Sequence, residues 1–318
     1  MGIKMGEPLY KFHNLYKEGK VEVFSSNFNL YSNMSWRVME ILKSICPLVE
    51  VYSVDEAFLD LSHINRCELI NIATELKYKI KQWTGIPVSI GIASTKTLAK
   101  IANYLAKGQS GLVNLFDCPN LDEILDNVPI EEIWGIGRKL APRFRMLGIG
   151  DLKALRDSDA DFIRKRFSIM EEKIVYELRG NSCIDLVVLQ KKKKSISYSR
   201  SFGTSISELE ELEKALSDYA SKASEKLRRQ NSRTSAICVY IRTNYYNLKQ
   251  PQYNNSIYIT MPYPSSNTAE IIIHSKKALH KIYKPGYLYH KIGIILSDLV
   301  SNKLEQIELF ESPNYIKI

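Results

Sequence analysis

A chain of 318 residues is more than one core usually holds, and its 45% hydrophobic content is enough for two or three. It has no run of 18 apolar residues and no apolar stretch after Met1-Gly2-Ile3-Lys4-Met5-Gly6, so neither a membrane-spanning helix nor a secretory leader is expected. The formal charge of +9 lies entirely late in the chain: residues 1–190 carry 24 basic and 24 acidic side chains, residues 191–318 carry 20 and 11, which points to a polyanion such as nucleic acid held mainly by the C-terminal part.

The five cysteines (Cys46, Cys67, Cys118, Cys183, Cys238) form no C-x-x-C pair, so free thiols in a reducing, cytoplasmic setting are expected rather than a disulfide frame. Gly2 to Pro8 reads as a loop. Domains seldom begin in mid-loop, so a fragment or shortened product is expected. Met34, Val38, Ile41, Leu42 and Ile45 share one helix face over 32–46, and Pro47 ends it. Two short apolar strands follow within 49–61, meeting at Ser53-Val54-Asp55-Glu56. Adjacent carboxylates on a rigid hairpin suit a hard divalent cation. An exposed acidic turn explains the same residues.

Residues 66–83 carry Leu69, Ile72, Ala73, Leu76 and Ile80 at helix spacing. A strand at 88–92 precedes a helix from Thr95 to Lys107 with Leu98, Ile101, Ala102 and Leu105 on one side. Lys96, Lys100 and Lys107 project from that segment; a lysine near paired carboxylates holds a triphosphate as a point charge, and a solvated lysine row looks the same. A strand at 113–115 closes this part. The hairpin requires a mixed or antiparallel sheet, which makes the fold α+β rather than doubly wound.

Residues 121–180 read as short helices. Within them Val128 to Leu140 contains Trp134-Gly135-Ile136-Gly137-Arg138-Lys139, followed by Leu147-Gly148, the pattern of a helix-hairpin-helix. Its glycines let backbone amides approach a DNA phosphate, with Arg138, Lys139, Arg143 and Arg145 around them. A plain glycine helix cap is the alternative. Lys191, Lys192, Lys193 and Lys194 lie in a linker over 188–200, a solvated tether or a set of phosphate contacts. Residues 201–300, with a first strand near Ser197–Phe202, read as β-α-β-β-α-β, a split βαβ domain. Arg200, Arg228, Arg229, Arg233, Arg242, Tyr245 and Tyr246 give it basic and aromatic groups able to track a duplex backbone. In the tail, Gln306-Ile307-Glu308-Leu309-Phe310 joins a polar anchor to apolar ones, a pattern suited to a partner's groove.

Taken in order, Ser53-Val54-Asp55-Glu56-Ala57-Phe58, Gly91 to Lys100, Ile133 to Arg138 and Ser199-Arg200-Ser201-Phe202-Gly203 resemble Y-family DNA polymerases of the UmuC type over essentially the whole chain. The resemblance implies partial fingers and palm over 1–120, a helix-hairpin-helix thumb over 121–187, the basic linker 188–200, a little finger over 201–303 and a tail over 304–318. It makes Asp55 and Glu56 catalytic metal ligands for two Mg²⁺ ions. It makes Lys107 the lysine against an incoming dNTP. Gly135, Gly137, Arg138, Lys139, Lys191 to Lys194, Arg200 and Arg242 become contacts to primer–template DNA. Gln306, Leu309 and Phe310 match the family's sliding-clamp motif, and a UmuD′-like dimer joins the implied partners; no membrane is implied.

The implied activity is error-prone translesion synthesis in DNA repair and the SOS response, by two-metal phosphoryl transfer. The family begins with a strand bearing an aspartate metal ligand beside a ribonucleotide-excluding aromatic, then a Tyr/Arg pair against the triphosphate; none has a counterpart here. A chain truncated at its N-terminus in this way implies weakened metal binding and an unpaired sheet position. The alternative function is a catalytically impaired fragment that binds only DNA and the sliding clamp.

Overall fold

The computed structural model describes residues 2–3, 6–108, 110–116, 118–188 and 192–302. Lys191, Gln306, Leu309 and Phe310 lie outside the described residues. The chain divides into two compact units, Met1–Gln190 and Lys191–Ile318.

In the first unit, a 3₁₀ turn over Leu9–Phe12 runs into the short helix α1 (His13–Lys17). Helix α2 (Phe28–Ile45) starts four residues before the apolar periodicity, because the Asn27 side chain caps it by accepting from the Leu30 N–H at 3.0 Å. It buries Met39, Ile41 and Leu42. Strands β1 (Val49–Val51) and β2 (Ala57–Leu59) are antiparallel, with Glu50 opposite Phe58. Helix α3 (Leu69–Thr84) follows a 3₁₀ turn, and its Leu76 and Ile80 share a core with α2, Cys46 and Val49.

Strands β3 (Ile90–Ile92) and β4 (Leu112–Asn114) are parallel, a pairing that needs a crossover connection, here a helix. The helix is α4 (Lys96–Lys107). Both strand directions are therefore present, as the sequence implies, but in two separate two-stranded ladders rather than one sheet among the described residues. Strand β3 lies so close to α4 that a Cβ on Gly91 would stand 2.2 Å from the Asn103 nitrogen and 2.4 Å from the Ala99 carbonyl oxygen.

Among the described residues this unit also holds α5 (Leu121–Asn127), α6 (Ala141–Arg145), α7 (Leu152–Asp157), α8 (Ala160–Arg166) and α9 (Ile169–Leu178). They share one core with α4, built from Leu98, Ile101 and Ala102 against Leu125, Ile136, Phe144, Leu155 and Leu178. Glu177, fully buried in α9, ties the two parts together. Its carboxylate accepts from the backbone N–H groups of Thr97 (3.0 Å), Cys183 (2.8 Å) and Ile184 (3.1 Å), and its carbonyl accepts from the Thr95 hydroxyl at 2.9 Å. A backbone donor in the first turn of α4, which has no partner within its own helix, is thereby satisfied by a distant carboxylate.

The second unit is β5 (Ile196–Ile206), α10 (Leu209–Arg229), β6 (Ser232–Thr243), β7 (Asn254–Ser265), α11 (Thr268–Ile282) and β8 (Tyr289–Ser301). The sheet order is β5-β8-β6-β7, each pair antiparallel. β5 and β6 are thus parallel with β8 between them, the split βαβ arrangement expected from the sequence. Ile237, Val239, Ile241, Ile292, Ile294 and Leu296 face a core with Leu212, Leu216, Ile271 and Leu279 of the two helices. Alternation then puts Tyr240, Arg242 and Lys291 on the uncovered face.

Candidate active site and nucleic-acid interface

The acidic pair occupies the turn between β1 and β2. The Glu56 carbonyl accepts from the Tyr52 and Ser53 N–H groups, both at 3.1 Å, and closes that turn. Asp55 is exposed and held in place by Ser53, whose hydroxyl donates to Asp55 Oδ1 at 2.5 Å while accepting from the Asp55 N–H at 3.2 Å. Glu56 Oε2 pairs with Lys100 Nζ of α4 at 2.8 Å. On β1, opposite Phe58, Glu50 is buried and pairs with Lys96 Nζ at 2.6 Å, and its Oε2 also accepts from the Val187 N–H at 2.8 Å. Lys96 donates further to the Asp185 carbonyl at 3.2 Å.

An aromatic cluster backs this corner. Tyr52, Phe58 and Trp134 lie with ring centroids 5.4 to 5.9 Å apart. The Trp134 indole N–H donates to the Tyr52 hydroxyl at 2.7 Å. Lys96 Nζ stands 4.7 Å from the Phe58 ring centre and 5.5 Å from that of Trp134, and Lys100 Nζ 5.1 Å from that of Tyr52.

Of the three lysines on α4, the structure brings Lys100 to Glu56 and Lys96 to Glu50. Lys107 is exposed at the far end of the helix, about 10 Å along the axis from Lys100 at 1.5 Å per residue. Asp55 and Glu56, with Lys100 close by, fit one hard cation completed by substrate phosphate oxygens. Among the described residues no group of three His, Cys, Asp or Glu is placed to hold a metal ion.

The glycine hairpin differs in detail from two regular helices. A 3₁₀ turn at Ile130–Glu132 precedes it, and α6 spans only five residues after it. Ile133 and Ile136 anchor the hairpin in the core. Gly135 takes φ +91°, a region that favours glycine, and Gly137 is exposed with open space around it. Arg138 and Lys139 are exposed beside it. Arg145 pairs with Glu131, and Arg143 donates to the Arg166 carbonyl at 3.3 Å while lying over the Phe167 ring, so these two arginines are already engaged within the fold.

In the second unit, Lys192, Lys193 and Lys194 are exposed, with the Lys193 backbone fixed to the Gln230 side chain by two hydrogen bonds of 3.0 Å. Arg242 lies on the uncovered sheet face, in register with Lys291, which in turn faces Ser201. Arg200 lies on β5, where its guanidinium donates to the Tyr198 hydroxyl, a hydrogen bond that raises its already high pKa. Lys222 and Lys226 of α10 approach the same ring at 5.6 and 4.9 Å. On the helical side Glu213 pairs with Lys276 (3.0 Å) and His280 (2.5 Å), and the Lys276 contact, first, holds its carboxyl below the usual carboxylate range. Sequence reasoning did not single out Glu50, Tyr52, Glu177 or the Trp134 side chain as contacts, because the bonds from Glu50 to Lys96 and Val187, from Trp134 to Tyr52 and from Thr97 to Glu177 span 46 to 137 residues and no local spacing marks them.

Three family models match. Residues 1–104 match the impB/mucB/samB family, 193–309 its C-terminal domain, and 119–149 the IMS family HHH motif. The chain is 37% identical to protein UmuC of Salmonella typhimurium over 316 residues, covering 98% of this chain and 75% of that one. It is 38% identical to protein ImpB of Salmonella typhimurium over 318 residues with the same coverage, and 26% identical to DNA polymerase IV of Clostridium acetobutylicum over 315 residues, covering 98% and 76%. Among solved structures, a Y-family DNA polymerase chimera of Dbh and Dpo4 superposes with a TM-score of 0.73 at 22% identity, and an insertion ternary complex of Dbh DNA polymerase with 0.57 at 21%, each covering 95% of this chain and 85% of the other.

Proposed function

The chain belongs to the impB/mucB/samB family of Y-family DNA polymerases, and on that premise we propose that Asp55 and Glu56 are the reaction centre of a translesion enzyme that extends a primer on damaged template. The observation that carries this reading is the acidic turn itself: two carboxylates on a two-stranded hairpin, facing a lysine of α4, in the same compact unit as the glycine hairpin. The reaction is attack of the primer 3′-hydroxyl, which loses its proton, on the α-phosphate of a dNTP, breaking the bond to the β-phosphate and releasing pyrophosphate. Asp55 and Glu56 would hold a Mg²⁺ ion, one of the two the family implies; when bound, it stabilises negative charge on the attacking and leaving oxygens.

The chain's own residues do the rest. Ser53 fixes the Asp55 carboxylate, and Lys100 neutralises Glu56 until substrate arrives. Lys107 takes triphosphate charge from the other end of α4. Gly135, Gly137, Arg138 and Lys139 contact the duplex backbone, and their exposure supports that role. Lys191 to Lys194, Arg200 and Arg242 add phosphate contacts from the linker and little finger. Gln306, Leu309 and Phe310 bind a sliding clamp, and a UmuD′-like dimer is a regulatory partner in an SOS, cytoplasmic setting. The partition into palm and fingers (1–120), thumb (121–187), linker (188–200), little finger (201–303) and tail (304–318) belongs to the same proposal.

Primer extension by the full chain with Mg²⁺ and the four dNTPs on an abasic template tests it. Incorporation is expected, slowed because the family's strand-borne aspartate has no counterpart here, and falling further, by at least ~100-fold, in Asp55→Ala, which removes another member of the cooperating site. Absence of incorporation by the full chain, or an undiminished rate in Asp55→Ala, would refute it.

A further inference from the structure

The glycine hairpin and the acidic turn are joined by one specific contact. Trp134 immediately precedes Gly135, and Tyr52 immediately precedes the Ser53-Val54-Asp55-Glu56 corner. Between them runs the 2.7 Å hydrogen bond from the indole N–H to the phenol oxygen, with the rings perpendicular at 5.4 Å. Tyr52 is also part of the turn through its backbone, whose N–H donates to the Glu56 carbonyl at 3.1 Å. A displacement of Trp134 is therefore transmitted to the residue whose carboxylate faces Lys100.

The pair is not ordinary core. Tyr52 is 42% exposed, and a water molecule reaching its hydroxyl would satisfy it without Trp134. The contact instead fixes direction. Phe58 supports both rings from β2, and Lys96, held by Glu50 and the Asp185 carbonyl, places its charge against Phe58 and Trp134. The indole is thus constrained by two aromatic rings, a cation and a hydrogen-bond acceptor, all within one compact unit.

We propose that Trp134 and Tyr52 are positioning residues that hold the carboxylate corner in register with a duplex backbone engaged at the glycine hairpin. The inference rests on the polymerase reading for its substrate, and on geometry alone for its connection. Neither side chain needs to touch the reacting atoms. Their work is to keep Asp55 and Glu56 at a set distance from the hairpin, where a misplacement of about 1 Å costs on the order of 100-fold in rate.

Conservative variants separate this role from folding. Tyr52→Phe keeps the ring and removes the acceptor; Trp134→Phe keeps an aromatic and removes the donor. Far-ultraviolet circular dichroism of each variant establishes that it folds. Duplex affinity, measured by fluorescence anisotropy of a labelled primer–template, is expected to stay within about twofold of wild type. Single-nucleotide incorporation at saturating duplex and dNTP is expected to fall about tenfold in each single variant. The double variant should be no slower than either single one, as befits two members of one contact.

A second readout needs no turnover. In the wild-type chain, duplex should tighten Mn²⁺ binding at the acidic corner, measured by electron paramagnetic resonance of free Mn²⁺, and Tyr52→Phe should abolish that linkage while Mn²⁺ alone binds as before. The proposal is overturned by an undiminished rate in Tyr52→Phe, by multiplicative losses in the double variant, by a duplex-affinity loss that equals the rate loss, or by a wild-type chain whose Mn²⁺ affinity ignores duplex. A wild-type chain that shows the linkage but incorporates nothing overturns the polymerase reading and leaves the connection standing.

Discussion

Replacing Gly91 by alanine is the smallest change expected to disable the first unit. The added Cβ meets the Asn103 nitrogen at 2.2 Å, the Ala99 oxygen at 2.4 Å and the Ala102 carbonyl carbon at 2.7 Å. Ordinary carbon contacts need about 3.5–4.0 Å, so β3 and α4 must separate by more than about 1 Å. Neither can do so cheaply, because the obstructing atoms are backbone and α4 is pinned by Leu98, Ile101 and Ala102 in the core and by Glu177 at its first turn. Overpacking usually costs about 1–3 kcal/mol, and rigid backbone on the far side argues for the upper end. For a unit of this size about 3 kcal/mol corresponds to a fall in Tm of roughly 6–12 °C. Because α4 also carries Lys100, the Glu56 ion pair should move with it. Thermal unfolding followed by circular dichroism measures the shift, with Gly137→Ala as the control because nothing lies within 4 Å of a Cβ there. If Gly91→Ala melts within about 2 °C of wild type, the close approach of β3 and α4 is wrong.

Lys96→Met should destabilise the first unit by about 3–5 kcal/mol in denaturant titration, since it leaves Glu50 without its cation at a site where both side chains are at most 10% exposed; adding Glu50→Gln should restore about half. Alanine at Lys192, Lys193 or Lys194 should each lower the slope of log affinity for duplex against log salt by about 0.9, and an unchanged slope would make the linker a plain tether. The Glu213 carboxyl has a lowered folded-state pKa, chiefly through Lys276, so its contribution to the second unit is present above the unfolded carboxylate range and is lost as pH falls through the folded value. Glu213→Gln should therefore flatten the acid limb of that unit's stability curve below about pH 4.5 while leaving the neutral region parallel to wild type.

The two helices of the β-α-β-β-α-β reading were legible in the sequence, and they are α10 and α11, from Leu209 to Arg229 and from Thr268 to Ile282. The start of α2 was not, because Phe28 to Tyr31 are exposed and only the Asn27 cap announces them. The acidic turn and glycine hairpin were legible because each is a local run with its own chemistry. What joins them was not. Glu50, a lone carboxylate within a short apolar strand, is buried, and its partners are Lys96 and a backbone amide 137 residues later. Spacing alone put Lys96, Lys100 and Lys107 in one row and the resemblance singled out Lys107; that Lys100 is the one beside Glu56 follows only from where the hairpin meets α4. Sequence periodicity reports which face of an element is apolar, and says nothing of which distant polar group completes a buried charge.

The cap on α4 has a consequence for synthesis. Thr95 and Thr97 emerge from the ribosome well before Glu177, the residue that accepts a hydrogen bond from each of them, 82 residues behind Thr95. At about 5–20 residues per second that interval is on the order of 4–16 s. Throughout it, a nascent α4 has an apolar face without its α9 neighbours and a first turn without its carboxylate. The acidic turn, translated earlier still, therefore waits for the last helix of its own unit before Lys96 and Lys100 are held where they meet Glu50 and Glu56.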